Sequence, residues 1–454
     1  MSASLQFIGA TGTVTGSKYL LTFGKHHYMI DCGLFQGLKV LRQRNWHPLP
    51  IQPGRIDSVV LTHAHIDHTG YLPLLIKSGF RGHAYATPAT RALCGVLLPD
   101  SGHLQEEDAD FANRHKFSKH HPALPLYTEA DAREALKYFE SVGFHKRVEL
   151  SRHVSFQFLP AGHILGAAIV QFMVSGRTIT FSGDLGRPKS DIMKPPVPVR
   201  ETDYLVVEST YGDRCHPRED PKTVIKDAIV ETLEKGGTVL IPAFAVGRAQ
   251  QVLFLLNELK NSGDLPNVPI YVNSPMATDA THIFRDINGD LAISREKFQE
   301  LFQIAKFVTS VEESKRIATS RQPSIIISAS GMATGGRVLH HLKFLAPEPK
   351  NLILFVGFQA AGTRGEAMMD GADEIKIHGM KIPVRAQVKL IDTLSAHADS
   401  DEIMGWLKQF SRAPKMTFIT HGEPLASEAL RKRIEEELHW ECEVPDYLET
   451  FQLT

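Results

Sequence analysis

Short apolar runs broken by glycine or polar turns fill the first 60 residues. "SLQFIGA", "SKYLLTF", "HHYMIDCG" and "DSVVLTH" each read as a strand. A helix is expected over 70–78, and "HAYATPATRALCGVLL" reads as a strand entering another helix. Residues 100–145 are charged and helical in tendency, and "TEADAREALKYFESVG" carries an apolar stripe that Gly143 is expected to end. Strands return at "VSFQFLPAGH", "AAIVQFMVSG" and "RTITFSGD". The proline-rich connector "PKSDIMKPPVPV" then leads into the strand "YLVVEST".

From about 220 the period changes to helix and strand in alternation. "PKTVIKDAIVETLEKGG" is a helix with a glycine stop, "TVLIPAF" a strand, "GRAQQVLFLLNELKNSG" a helix and "PIYVNSP" a strand. "SIIISAS", "GMATGGRVLHHLKFL" and "NLILFVGF" repeat the pattern. Such alternation implies a parallel-type sheet covered on both faces. After about 386, short strands such as "KLIDTLS" and "KMTFITHG" reappear. The expected organisation is an α/β domain over 1–211, a second α/β domain inserted over 212–386, and a return to the first over 387–454.

Bulk composition narrows the class. At 454 residues, two or three domains are expected, and 43% hydrophobic with 22% charged residues fits a soluble globular protein. A net charge of −1 excludes nucleic-acid binding through bulk positive charge but not through a local basic groove. Cys32, Cys94, Cys215 and Cys442 show no C-x-x-C spacing, as expected of reduced thiols in a cytosol. No export signal is read at "MSASLQFIGATGTVTG", and no run is long enough to span a bilayer, so a cytoplasmic protein without membrane contact is expected. A homodimer is compatible with the sequence.

Chemistry concentrates in "LTHAHIDHTG", where His63, His65, Asp67 and His68 lie within six positions behind an apolar run. Neutral imidazole and carboxylate suit zinc and similar divalent ions. Residues two apart in extended chain point the same way, so His63 and His65 can grip one ion, while a turn into helix swings Asp67 and His68 towards a second. His163 in "LPAGHILGA", Asp184 in "TFSGDLG" and His421 in "FITHGE" each follow an apolar strand. Singly, each reads as a strand-end hydrogen bonder. Together they complete two sets: His63, His65 and His163; Asp67, His68 and His421; with Asp184 bridging, as in two-metal hydrolases. Asp31 in "YMIDCG" is read as an acceptor orienting a ligand histidine, or as an acidic cap of its turn.

"THAHIDH", "AGHILGA" and "SGDLG" resemble the metal-binding motifs of the metallo-β-lactamase fold. "VESTYGD", "IPAFAVGRAQ", "ISASGMATGGR", "FQAAGTRG", "LSAHAD" and "THGE" resemble the β-CASP branch of that superfamily, which includes pre-mRNA 3′-end cleavage endonucleases and RNase J. The similarity runs from about residue 5 to 445. It implies an αββα sandwich with an inserted β-CASP α/β domain, two zinc ions (manganese as the alternative) and an RNA substrate. It also implies roles that spacing does not reveal: Glu208 as the branch's acidic residue, His397 as the histidine near the scissile phosphate, and His421 in place of the valine of DNA-repair members.

The implied chemistry is phosphodiester hydrolysis. Two cations neutralise the ester and acidify a water, with Asp67 in the catalytic set, and His397 protonates the departing 3′-oxygen while Glu208 holds its ring. The expected products carry a 5′-phosphate and a 3′-hydroxyl. Gly331, Gly335, Gly336 and Arg337 form a glycine-rich turn into a helix, a phosphate-cradle pattern that is more often a tight loop. Arg248, Thr363, Arg364 and Ser395 are further phosphate candidates. A thioester or lactam hydrolase, a single-stranded DNA nuclease and a non-catalytic RNA-binding subunit are the competing classes. His26–His27, His340–His341, His103 with Glu106 and Glu107, and "NRHKFSKHH" read as solvated faces, and Cys32 as a small packed residue.

Overall fold

In Ala3–Phe7 positions 3, 5 and 7 are buried and those between are half-buried, the period-two pattern of a strand with one face on a core. The computed structural model of the chain extends that pattern into a seven-stranded sheet. Its order is Thr450–Leu453, Ala3–Phe7, Tyr19–Phe23, His26–Ile30, Ser58–Val60, His83–Ala86, Phe139–Ser141. A second sheet runs Cys442–Glu443, Met416–Thr420, Tyr204–Glu208, Arg177–Phe181, Ala168–Val174, Val154–Pro160, Arg147–Ser151. All residues but Met1, Phe117, Asn288, Phe358 and Ala361 are described. Phe117 of 113–121, and Phe358 and Ala361 of the 358–365 motif, therefore lie outside the described residues.

The two sheets share one core. Leu5, Phe7, Tyr19 and Tyr28 from the first meet Phe172, Phe181 and Phe418 from the second, with Phe7 and Phe418 ring centroids 5.1 Å apart and Tyr19 and Phe181 5.6 Å apart. Each such side chain contributes about 1.5–3 kcal/mol by leaving water. Helix Pro88–His115 packs against helix Glu129–Ala135, and helix Pro424–Leu438 against the strand Met416–Thr420. These elements belong to one compact unit, Met1–Cys215 with His397–Thr454.

The second unit, His216–Ala396, holds a six-stranded sheet ordered Lys306–Phe307, Ile270–Val272, Ile325–Ser328, Val239–Pro242, Leu352–Val356, Gln387–Ile391. Every pairing in it is parallel. "VLIP", "IIIS" and "LILFV" are buried along their whole length, as strands covered on both faces must be. Among the described residues no helix is long and apolar enough to cross a membrane.

Two elements differ from expectation. The stripe expected to run as helix to Gly143 is helical only over Glu129–Ala135, passes through a 3-10 turn Leu136–Tyr138, and becomes strand at Phe139. Buried Phe139 pairs with Ala84 at the end of the first sheet, so sheet pairing overrides the local helical period. The strand within "KLIDTLS", expected with the C-terminal return, instead pairs along Leu352–Val356, from Leu352 with Gln387 to Val356 with Ile391. A five-residue parallel ladder outweighs chain order there.

Candidate metal centre

Six strands of the first unit deliver polar residues at or just beyond their C-terminal ends. His26–Ile30 ends at Asp31, Ser58–Val60 leads to His63, and Val154–Pro160 leads to His163. Arg177–Phe181 leads to Asp184, Tyr204–Glu208 ends on Glu208 itself, and Met416–Thr420 leads to His421. The turn expected after His65 is the one-turn helix Ile66–Thr69, which carries Asp67 and His68. Two glycines allow the loops to close. A Cβ on Gly33 would sit 1.5 Å from the Asp67 carbonyl oxygen, and one on Gly186 2.0 Å from that of Gly162.

The donors form two groups. In one, His63 Nε2 lies 3.1 Å from His65 Nδ1, which lies 3.3 Å from His163 Nε2. Asp184 Oδ2 closes the group at 3.3 Å from His63 Nε2 and 3.6 Å from His163 Nε2. In the other, His68 Nε2 is 3.1 Å from His421 Nε2 and 3.8 Å from Asp67 Oδ2, and His421 Nε2 is 3.3 Å from Asp67 Oδ2. Asp184 Oδ1 joins this group at 3.3 Å from His68 Nε2. One carboxylate thus faces both groups.

These separations test whether a metal fits. Ligand atoms ~2.0–2.1 Å from one tetrahedral centre stand ~3.3 Å from one another, and the separations in the two groups, 3.1 to 3.8 Å, bracket that value. The outer hydrogen bonds orient the rings to match. His68 Nδ1 meets Asp31 Oδ2 at 2.7 Å, His63 Nδ1 meets Thr62 Oγ1 at 3.1 Å, and His421 Nδ1 meets Thr210 Oγ1 at 3.2 Å. Both hydroxyls spend their own protons on carboxylates, Thr62 on Asp31 and Thr210 on Glu208. Each Nδ1 is therefore the donor, and each Nε2 turns a lone pair inward. Asp31 also accepts the Thr62 amide at 2.8 Å and the Ser17 hydroxyl at 3.3 Å, so it acts as an orienting acceptor.

Electrostatics agrees. Burial holds His63 and His163 below the usual imidazole range and pushes His65 down to about 3, leaving neutral rings with available lone pairs. Burial would raise Asp67 and Asp184, but the imidazoles of His68 and His421 hold both well below the ordinary carboxylate range. Burial likewise opposes a charge on His68, yet Asp184, Asp31 and Asp67 raise it well above 6.5. The same carboxylates that favour positive charge on the His68 ring would favour a cation beside it.

Beside these groups stands a histidine–carboxylate pair. His397 Nδ1 lies 3.0 Å from Glu208 Oε2, and His397 Nε2 points to Asp184 Oδ2 at 3.9 Å. Burial lowers the His397 pKa, but Glu208 and Asp184 more than offset it and bring it up to about 8. Thr62 and Thr210, the hydroxyls that set the ring orientations, were not evident from sequence. Their signal was position alone, one residue before His63 and two after Glu208.

The phosphate candidates lie in the second unit, where Arg337, Arg364 and Thr363 have structural tasks of their own. Arg337 donates to the carbonyls of Val308 and Thr309 and, at 3.0 Å, to Asn273 Oδ1. Arg364 donates to the carbonyls of Lys376, Ala333 and Thr334. Arg248 is buried beside Gly357. Thr363 caps helix Arg364–Met369 by accepting the Glu366 amide. Gly331 packs on Phe244, Gly336 precedes helix Arg337–Leu345 at φ 74°, a Cβ on Gly335 would meet nothing within 4 Å, and Ser395 is buried. His341, expected on a solvated face, is fully buried and bonded at 2.7 Å to Asn273, because its side of the helix faces the sheet.

Known proteins extend the picture. A Beta-lactamase superfamily domain model matches residues 26–237, a Beta-Casp domain model 249–368, and a Zn-dependent metallo-hydrolase RNA specificity domain model 381–445. Ribonuclease TTHA0252 of Thermus thermophilus is 35% identical over 422 residues, covering 91% of this chain and 92% of that protein. An RNase J-like protein of Methanocaldococcus jannaschii is 30% identical, with 92% of each covered. Transcription termination factor FttA of Methanosarcina mazei is 32% identical over 98% of this chain and 71% of its own length. The solved structure of an Enterococcus faecalis protein of unknown function shares the fold, with a TM-score of 0.55 at 13% identity over the whole of both chains. With these matches and a centre whose donors fit metal ions, the chain belongs to the β-CASP branch of the metallo-β-lactamase superfamily and is a metal-dependent hydrolase.

Proposed function

We propose that the two donor groups hold two zinc ions, or manganese in their place, and that the protein is a ribonuclease. Its products would carry 5′-phosphate and 3′-hydroxyl ends. The RNA substrate is supported by the RNA specificity domain match over 381–445 and by relatives named as ribonucleases. Bound ions would offset the charge of the phosphodiester and bring the pKa of water towards neutrality. His63, His65 and His163 would hold one ion, Asp67, His68 and His421 the other, and Asp184 would serve both.

The observation that carries this reading is the His397–Glu208 pair beside Asp184. Simple ester or lactam hydrolysis does not require a second histidine outside the metal ligands. A departing 3′-oxygen needs a proton, and a histidine held protonated by a buried glutamate supplies it from Nε2. Nδ1 stays on Glu208, so the ring cannot turn away. The 2′-hydroxyl takes no part in this chemistry, and preference for RNA would come from the binding surface.

The test is digestion of 5′- and 3′-labelled RNA by the zinc-loaded protein, alongside single-stranded DNA and a chromogenic lactam and thioester. RNA cut to 5′-phosphate ends is expected. Faster turnover of the chromogenic substrates, or one zinc or fewer per chain after reconstitution, overturns the proposal.

A further inference from the structure

The helix Lys39–Arg44 buries none of its six residues. Large apolar side chains nonetheless stand in water along it and beside it: Leu38 is 48%, Val40 61% and Trp46 59% exposed. So short a helix does not persist by propensity, and without a buried face it must be held by other means. The Asn45 side chain accepts the Phe35 amide at 2.9 Å and donates to the Phe35 carbonyl at 2.8 Å. The Arg44 guanidinium sits 4.1 Å from the Tyr447 ring centroid, and Lys18 Nζ 4.5 Å from that of Phe35. The segment is therefore fixed in place with its apolar groups outward. Concentrated exposure of this kind marks a surface that something covers.

Charge indicates what covers it. Between Asp31 and Asp57 the chain carries Lys39, Arg42, Arg44 and Arg55 and no acidic residue, although the whole chain has a net charge of −1. Lys39 and Arg42 are exposed and, three residues apart on a helix, share a face. The chain just before the segment touches the metal loop: the Leu34 amide donates to the Ile66 carbonyl at 3.0 Å, one residue before Asp67. Exposed cations interleaved with an exposed indole suit single-stranded nucleic acid, whose phosphates pair with the cations while a base stacks on the ring.

We propose that residues 38–47 form a landing surface for single-stranded RNA beside the metal centre, gripping nucleotides outside the one that reacts; this rests on the ribonuclease reading above. Lys39 and Arg42 take phosphates, and Trp46 takes a base. The surface sets how tightly a long strand is held and leaves the chemical step alone.

The test compares the wild type with a Lys39→Ala/Arg42→Ala/Trp46→Ala variant on a short RNA of about 6 nucleotides and a long one of about 30. The variant is expected to raise KM for the long RNA roughly tenfold at unchanged kcat, with the short RNA unaffected. The dependence of log kcat/KM on log salt should become shallower by about 1.4, two phosphates at ~0.7 each. A second measurement needs no variant. Of the three tryptophans, Trp406 and Trp440 are 3% and 8% exposed, so acrylamide quenching reports on Trp46. Saturating poly(U) should protect it. Unchanged KM and salt slope on both RNAs, or quenching indifferent to poly(U), overturns the proposal, and protection by phosphatidylserine vesicles alone overturns it in favour of a membrane surface. A wild type that cuts neither RNA instead overturns the ribonuclease reading, and the quenching measurement then still decides this one.

Discussion

Glu208 turns Oε2 to the ring of His397 at 3.0 Å and Oε1 to the Leu185 amide at 2.5 Å. The carboxylate is thereby fixed at both oxygens, and it fixes His397 in turn. If His397 donates its proton to the leaving oxygen, the active form is the protonated one. Its pKa is raised, so the contribution is present at low pH and is lost as pH rises through the folded value. Glu208→Gln removes the raising charge and leaves burial unopposed. The alkaline limb of the kcat profile should therefore move to lower pH by about one unit or more, with zinc content unchanged. His397→Ala should lower kcat by ~10²–10⁴ while retaining both ions. An unmoved limb in Glu208→Gln would assign that limb to another group.

Asp184 faces His63 and His163 with one oxygen and His68 with the other. Substitutions should therefore differ in metal stoichiometry. His421→Ala removes a donor from one group only and should leave about one ion per chain. Asp184→Asn weakens both groups and should leave less than one. Plasma emission spectrometry of the dialysed variants checks this. Equal loss from both would mean that the two groups do not bind separately.

Much of this centre was legible in the sequence, for a physical reason. In this chain the donors follow the ends of buried strands, so "THAHIDH", "AGHILGA" and "SGDLG" stand out as polar interruptions of apolar runs. Asp31 as the orienting partner of a ligand histidine was legible too, but the hydroxyls that orient His63 and His421 were not. Thr62 and Thr210 are ordinary hydroxyls until long-range packing places Thr62 against His63 and Asp31, and Thr210 against His421 and Glu208. The stretch 139–141 was misread because sheet pairing, a non-local term, outweighed a helical period. His341 was misread because adjacency in sequence to exposed His340 hides that neighbours on a helix face differently.

Arg337 shows a guanidinium with structural work in the second unit. Removing it strands the Val308 and Thr309 carbonyls and the Oδ1 of buried Asn273, which also bonds Ser314 and His341 through its amide nitrogen. Arg337→Ala should cost about 1–3 kcal/mol in urea unfolding of that unit, and Arg337→Lys should recover only part, since an ammonium lacks the planar fork. Stability equal to wild type with weakened RNA binding would make Arg337 a phosphate ligand after all.

Close backbone contact at Gly33 makes the sharpest steric demand on the centre. Its missing Cβ leaves room for the Asp67 carbonyl, which accepts the Ser17 amide at 2.8 Å, while the neighbouring Cys32 amide donates to the His68 carbonyl at 2.7 Å. Gly33→Ala places a carbon 1.5 Å from the Asp67 oxygen, where both partners are backbone and neither can rotate aside. The helix Ile66–Thr69 must shift, carrying Asp67 and His68 away from His421. The variant should lose the ion of that group and melt at lower temperature. Gly95 supplies the control. It lies within helix Pro88–His115, and a Cβ there meets nothing within 4 Å. Gly95→Ala should keep both ions and gain up to ~1 kcal/mol from helix propensity alone. Thermal unfolding with zinc analysis on both variants separates the outcomes. A Gly33→Ala protein with two ions and an unchanged melting temperature would show that the loop has freedom the close contact denies.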